Sequence, residues 1–104
     1  MSRIAQFARF SAKPGRGTEV VEALEEAFLA AESEPGTQVY AIHVQPDDPN
    51  VVWMYELYES EQAQRSHSGS QATAALRAAV GELLDEPLTV TRGAVHHEFG
   101  LPGA

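Results

Sequence analysis

One glutamate and one histidine stand out as side chains that could move a proton. Glu56 is the single acidic residue in the apolar run Val51 to Tyr58, where a carboxylate is costly unless it is paired or protonated. His67 follows eleven residues later, and an imidazole titrates at about 6.5 when unperturbed, close enough to ordinary operating pH for general acid–base work. On a helix Ala63 and His67 share a face, so the ring can look along the helix onto a sheet. Each residue also has a plainer use. His67 can cap or pack a helix end, and Glu56 can pair with Arg9, Arg92 or a backbone amide. Tyr40, Trp53, Met54, Tyr55 and Tyr58 are candidate substrate contacts that could stack on a flat ring, although aromatic residues in strands usually serve a core or an interface.

Other chemistries find little support in the pattern. The sequence has no cysteine, which removes disulfides, thiolate zinc sites, iron–sulfur clusters and cysteine nucleophiles together. His96 and His97 are adjacent, so in an extended segment they point to opposite faces and do not chelate one metal together. With His43 they leave open only a three-histidine site assembled from separate strands, and no residue pair has metal-ligand spacing. Gly15 and Gly17 lack the rest of a phosphate loop. Gly69, with Ser66, Ser68 and Ser70 around it, lacks the strand-to-helix nucleophile elbow of a serine hydrolase. A net charge of −8, with seven scattered basic residues, repels phosphate backbones and argues against a nucleic-acid partner. No apolar run approaches the ~18 residues of a membrane helix, and Met1 to Gln6 does not read as a secretory leader. A soluble cytoplasmic protein with no membrane partner is the expectation, and the lack of cysteine fits that compartment.

Positioning these side chains requires a sheet and two or three helices, and a chain of 104 residues has room for one such domain, spanning 1–104. Residues 3–12 read as a first strand that stops at the turn signal Lys13-Pro14-Gly15-Arg16-Gly17. From Thr18, a plausible N-cap, Val20, Val21, Leu24, Phe28 and Ala31 follow helical steps, with glutamates on the solvated side. The helix is expected to end at Ser33-Glu34-Pro35-Gly36, where glycine allows a reversal. Thr37 to Val44 and Val51 to Tyr58 form a hairpin around a hydrophilic turn at residues 45–50. Ser60 can cap a short helix over residues 61–67. Ser70 can cap another that carries Thr73, Leu76, Val80, Leu83 and Leu84 and ends at Pro87. Leu88 to Arg92 and Ala94 to Phe99 read as a last strand bent at Gly93, or as two strands, with residues 94–104 as a C-terminal strand and tail. The order is βαββαβ, an α+β antiparallel sheet of ferredoxin-like type with its helices on one face.

Strand three is apolar on both faces. Val51, Trp53, Tyr55 and Leu57 share one side, and Val52, Met54, Glu56 and Tyr58 the other. The first strand repeats the pattern, with Ile4, Ala8 and Phe10 opposed to Ala5 and Phe7. Helices on one face cannot cover the second, and exposing it forfeits about 1.5–3 kcal/mol per large side chain. A homodimer in which two sheets face each other is the expected solution.

The turn Lys13-Pro14-Gly15, the segment Ser33-Glu34-Pro35-Gly36-Thr37-Gln38-Val39-Tyr40, and Tyr55-Glu56-Leu57-Tyr58-Glu59-Ser60 followed by Ala63 and His67 resemble the antibiotic biosynthesis monooxygenase family, which includes quinol monooxygenase-like members. The resemblance runs from Arg3 to about Thr91. It implies a dimeric α+β barrel with a small cavity per subunit between sheet and helices. It further implies oxidation of a small phenolic, aromatic or quinol-like compound by molecular oxygen without metal or flavin cofactor; for that reaction the residues offer His67 as proton acceptor and Glu56 as its support. Haem-degrading relatives use an asparagine on strand one, a tryptophan after strand three and a histidine on the next helix. Here only His67 matches, which disfavours that reaction. An isomerase using the same pair without oxygen, and a non-catalytic metabolite-binding dimer, are the alternatives.

Overall fold

Alternating burial along the central strands sets the architecture. In the computed structural model, which describes residues 2–103, β1 (Ile4–Ser11) pairs with β3 (Asp48–Tyr58) on one side and β4 (Thr89–Ala94) on the other, both antiparallel. β2 (Thr37–Gln45) pairs antiparallel with β3, giving the sheet order β2-β3-β1-β4. Three helices, α1 (Gly17–Glu32), α2 (Glu61–Ser68) and α3 (Gln71–Gly81), complete the ferredoxin-like order. The register places Gln6 opposite Glu56, Ala8 opposite Met54 and Phe10 opposite Val52. Ala8, Phe10, Val52 and Met54 lie in the core with Val20 and Leu24 of α1 and Val80 of α3, so this is the helix-covered face.

Several boundaries differ from the sequence reading, each for a visible reason. α1 begins at Gly17, and the Gly17 N–H meets Asn50 Oδ1 of β3 at 3.3 Å; a side chain from the neighbouring strand takes the place expected for Thr18 as cap. Lys13 to Arg16 close a turn through Arg16 N–H to Lys13 O at 2.9 Å. Gly15 occupies its third position with φ +79°, a conformation that favours glycine, and Pro14 precedes it. β3 starts at Asp48, so the hairpin turn is shorter than expected, and the pairing slips register between Val44 and Gln45.

α3 stops at Gly81 and does not continue to Pro87. The next residues leave the helix to pair with the end of β1, through Lys13 N–H to Leu83 O at 2.8 Å and Asp85 N–H to Ser11 O at 2.9 Å. Leu83 stays buried outside any helix. The expected strand from Ala94 to Phe99 is absent as well: β4 ends at Ala94, the Val95 N–H still bonds Arg3 O at 2.9 Å, and residues 95–103 belong to no strand. Their anchor is Arg3, whose guanidinium bonds Glu98, Pro102 O and, at 2.9 Å, Gln38 Oε1.

The capping readings of the two short helices match the coordinates. Ser60 Oγ accepts from Ala63 N–H at 3.1 Å, and Ser70 Oγ accepts from Thr73 N–H at 3.1 Å. Both caps fix where α2 and α3 begin, and hence where His67 comes to lie.

Candidate active site

The turn before β2 and the helix after β3 are packed together without a spare methyl group between them. Glu34-Pro35-Gly36-Thr37 form a turn closed by Thr37 N–H to Glu34 O at 3.2 Å. A Cβ on Gly36 would lie 2.5 Å from Ala63 Cβ. Gly36 does not take a positive φ, so glycine is needed here for close approach to α2 and not for the chain reversal. With Ala63 seated on Gly36, the next turn of α2 carries His67 onto Glu34. His67 Nδ1 lies 2.8 Å from Glu34 Oε1. Thr73 Oγ1 donates to His67 O at 2.7 Å, tying the end of α2 to α3.

On its other side the imidazole faces the sheet. His67 Nε2 stands 3.6 Å from Glu56 Oε1, beyond hydrogen-bond length but inside ion-pair range. Glu56 is buried at 4% exposure, and its Oε1 accepts from Gln6 Nε2 at 2.9 Å and from the Tyr58 hydroxyl. Gln6 Oε1 in turn accepts from Gln64 Nε2 at 3.0 Å and Arg92 Nε at 2.7 Å. A carboxylate inside an apolar sheet is thus held by a connected polar chain. Burial pushes the Tyr58 and Tyr40 phenols well above their usual range, and the Glu56 charge adds to it in both. Both phenols therefore act as neutral hydroxyls, not as bases.

His67, Glu56, Tyr40 and Met54 line one cavity between sheet and helices. Most of the remaining wall is apolar, drawn from Ala8, Phe10, Leu24, Leu76, Val80, Leu88 and Val90, and Gln6, Ser68, Thr73 and Arg77 add polar groups to it. The cavity has a volume of about 40 Å³ and opens to solvent on one side. The enclosed part has room for a few waters or a diatomic gas.

Tyr58 joins the cluster from behind, its ring 5.3 Å from that of His67, and Tyr40 packs edge-on at 5.5 Å. Trp53 and Tyr55 are elsewhere. They project from the opposite sheet face, where Tyr55 stacks on Phe7 at 5.5 Å and the Arg9 guanidinium lies 5.8 Å from the Trp53 ring. Glu56 bonds neither Arg9 nor Arg92 directly; Arg92 reaches it through Gln6. In the sequence Glu34 reads as part of a helix end and of the family-like Glu-Pro-Gly segment, with nothing local to mark it as the partner of His67. His43 of β2 stands opposite Trp53 of β3. Among the described residues no group of three His, Cys, Asp or Glu side chains is placed to hold a metal ion.

Fold and pocket define a ferredoxin-like α+β domain with an imidazole between two carboxylates at the edge of an apolar cavity. The chain belongs to the antibiotic biosynthesis monooxygenase family, whose model matches residues 3–80. A Mycobacterium tuberculosis protein described as a "putative monooxygenase" is 32% identical over 90 residues, covering 86% of this chain and 88% of its own length. The solved structure of that mycobacterial protein superposes with a TM-score of 0.86 at 31% identity, covering 93% of this chain and 98% of the other. A Nitrosomonas europaea structure described as a "putative antibiotic biosynthesis monooxygenase" shares the fold with a TM-score of 0.85 at 20% identity, covering 90% and 99% of the two chains. Among the described residues no helix is long and apolar enough to cross a membrane.

Proposed function

We propose that this protein oxygenates a small aromatic, phenolic or quinol-like molecule with molecular oxygen and with no metal or flavin. The observation that carries the reading is His67, buried at 9% exposure on the wall of a largely apolar cavity and flanked by Glu34 and Glu56. His67 Nε2 takes the phenolic proton, which breaks the O–H bond and leaves an electron-rich phenolate. The phenolate gives one electron to oxygen, the resulting radical pair joins through a new carbon–oxygen bond, and the peroxide anion takes the proton back from the His67 imidazolium to give a hydroperoxide. Loss of water then yields the quinone. One oxygen atom ends in the product and one in water, and all four electrons come from the substrate, so no external reductant is consumed.

Tyr40 and Met54 are the proposed ring contacts, because they share the cavity wall with the acid–base pair. Tyr58 holds Glu56 in place, and Trp53 and Tyr55 serve the opposite face. A ring enters between α3 and β4, where half-buried Leu76 and Leu88 move aside to enlarge the enclosed space. A second copy of the chain covers the Trp53 face, completing a homodimeric barrel.

Oxygen uptake with a panel of naphthols, anthrones and hydroquinones tests the reading. Uptake that stops in His67→Ala and falls in Glu56→Gln is the expected result. Conversion without oxygen uptake would favour an isomerase in the same pocket, and unchanged turnover in both variants would remove the mechanism.

A further inference from the structure

His67 separates two spaces of different character. One is the apolar cavity under the sheet, and the other is a surface groove of about 420 Å³ bordered by Glu34, Thr37, Glu59, Ser60 and Ser66. Each ring nitrogen faces one of them. Nδ1 points to Glu34 on the groove side at 2.8 Å, and Nε2 points to the cavity side, 3.6 Å from Glu56 Oε1.

The two contacts are not equivalent. Glu56 Oε1 already accepts from Gln6 and Tyr58 and lies beyond hydrogen-bond length from the ring. Glu34 Oε1 makes the short contact, and the Thr37 hydroxyl donates to the same oxygen at 2.7 Å. A carboxylate only accepts, so the hydrogen in the Glu34 contact belongs to Nδ1, and the lone pair of the neutral ring is left on Nε2. The Glu34 side chain is 25% exposed against 5% for Glu56, so its charge is hydrated from the groove while its inner oxygen orients the ring.

We propose that Glu34 is the positioning residue of the site: it fixes His67 with hydrogen on Nδ1 and bare Nε2 toward the cavity, and its charge stabilises the imidazolium formed when Nε2 takes a proton. Support for His67 thus comes from the Glu-Pro-Gly turn, while Glu56 stays free to face a substrate hydroxyl. Gly36 and Thr37 serve the same end, one by admitting α2 and the other by holding the carboxylate. The assignment rests on the reading of His67 as the proton acceptor, and it can be measured separately from turnover.

Histidine-selective ¹⁵N NMR of the full chain reads the ring tautomer directly, with the His67 signals identified by their loss in His67→Gln. The wild type is expected to carry its neutral-ring hydrogen on Nδ1. In Glu34→Ala the major neutral form is expected to move to Nε2–H, whereas Glu34→Gln, whose amide oxygen still accepts, keeps Nδ1–H. With a turned-over substrate, kcat falls by about 10²-fold in Glu34→Ala with KM little changed, and Glu34→Gln recovers part of it. An Nε2–H ring in the wild type, or a tautomer indifferent to Glu34→Ala, overturns the assignment whatever the turnover. A tautomer that follows Glu34 in a protein that consumes no oxygen with any compound upholds the assignment and removes the oxygenase reading instead.

Discussion

Gly36 and Ala63 are in contact with no space for another carbon: a Cβ on Gly36 would fall 2.5 Å from Ala63 Cβ. This contact sets the distance between the Glu-Pro-Gly turn and α2, and so the reach from Glu34 to His67. Gly36→Ala is expected to push α2 outward and cost about 1–3 kcal/mol, as overpacking does. Adding Ala63→Gly should return most of that loss, less about 1 kcal/mol for a glycine within a helix. Urea unfolding of the two single variants and the double variant measures the coupling. Additive effects would show that α2 does not rest on Gly36.

Glu56 invites a second test, because its neighbours are donors that need it. Gln6 Nε2 and the Tyr58 hydroxyl both give hydrogen bonds to Glu56 Oε1. Glu56→Ala strands both in a buried site, at about 1–3 kcal/mol for each unsatisfied group. Glu56→Gln keeps an acceptor oxygen and is expected to stay within about 1 kcal/mol of the wild type. Denaturant midpoints decide the matter: equal stability for the alanine and glutamine variants would mean that the polar chain contributes nothing.

How far the sequence speaks depends on the range of the interaction that decides each feature. β1, β2 and the caps at Ser60 and Ser70 follow from local pattern and hydrogen bonding, and both caps stand as read. α1 starts two residues early, with Arg16 at the cap position expected for Thr18, because Asn50, distant in the chain, supplies the acceptor. α3 ends early because the end of β1 offers Leu83 and Asp85 backbone partners that no helical periodicity encodes. The same division holds at the site. Strand alternation alone puts Met54, Glu56 and Tyr58 on one face and Trp53 and Tyr55 on the other. The Glu34–His67 contact joins residues thirty-three apart, and its trace in the sequence was the small pair Gly36 and Ala63.

The face opposite the helices leads to a prediction about assembly. Phe7 is 46% and Trp53 38% exposed, and with Tyr55 they form an apolar patch at the centre of the sheet. Burying such side chains stabilises by about 1.5–3 kcal/mol each. The chain is expected to run as a dimer in light scattering at micromolar concentration. Trp53→Glu should convert it to monomer while leaving Glu56, His67 and their partners on the other face in place. A wild-type mass of one chain would refute the paired-sheet barrel.

Two phenols, Tyr58 fully buried and Tyr40 half-buried, predict how stability falls in alkali. Tyr40 and Tyr58 are raised above the ordinary phenolic value of about 10, first by burial and then by the charge of Glu56. In the unfolded chain both deprotonate near that value, while the folded chain keeps their protons, so above about pH 10 the unfolded state binds fewer protons. Stability is therefore fully present below that pH and declines as pH rises, by up to about 1.4 kcal/mol per pH unit for each tyrosine. Tyr58→Phe would also remove the bond to Glu56, so Tyr40→Phe isolates the titration. Its unfolding free energy, followed in urea from pH 8 to about pH 11, should fall less steeply than that of the wild type by nearly one proton. Parallel curves would mean that Tyr40 is hydrated in the folded protein and that the wall between His67 and solvent is open.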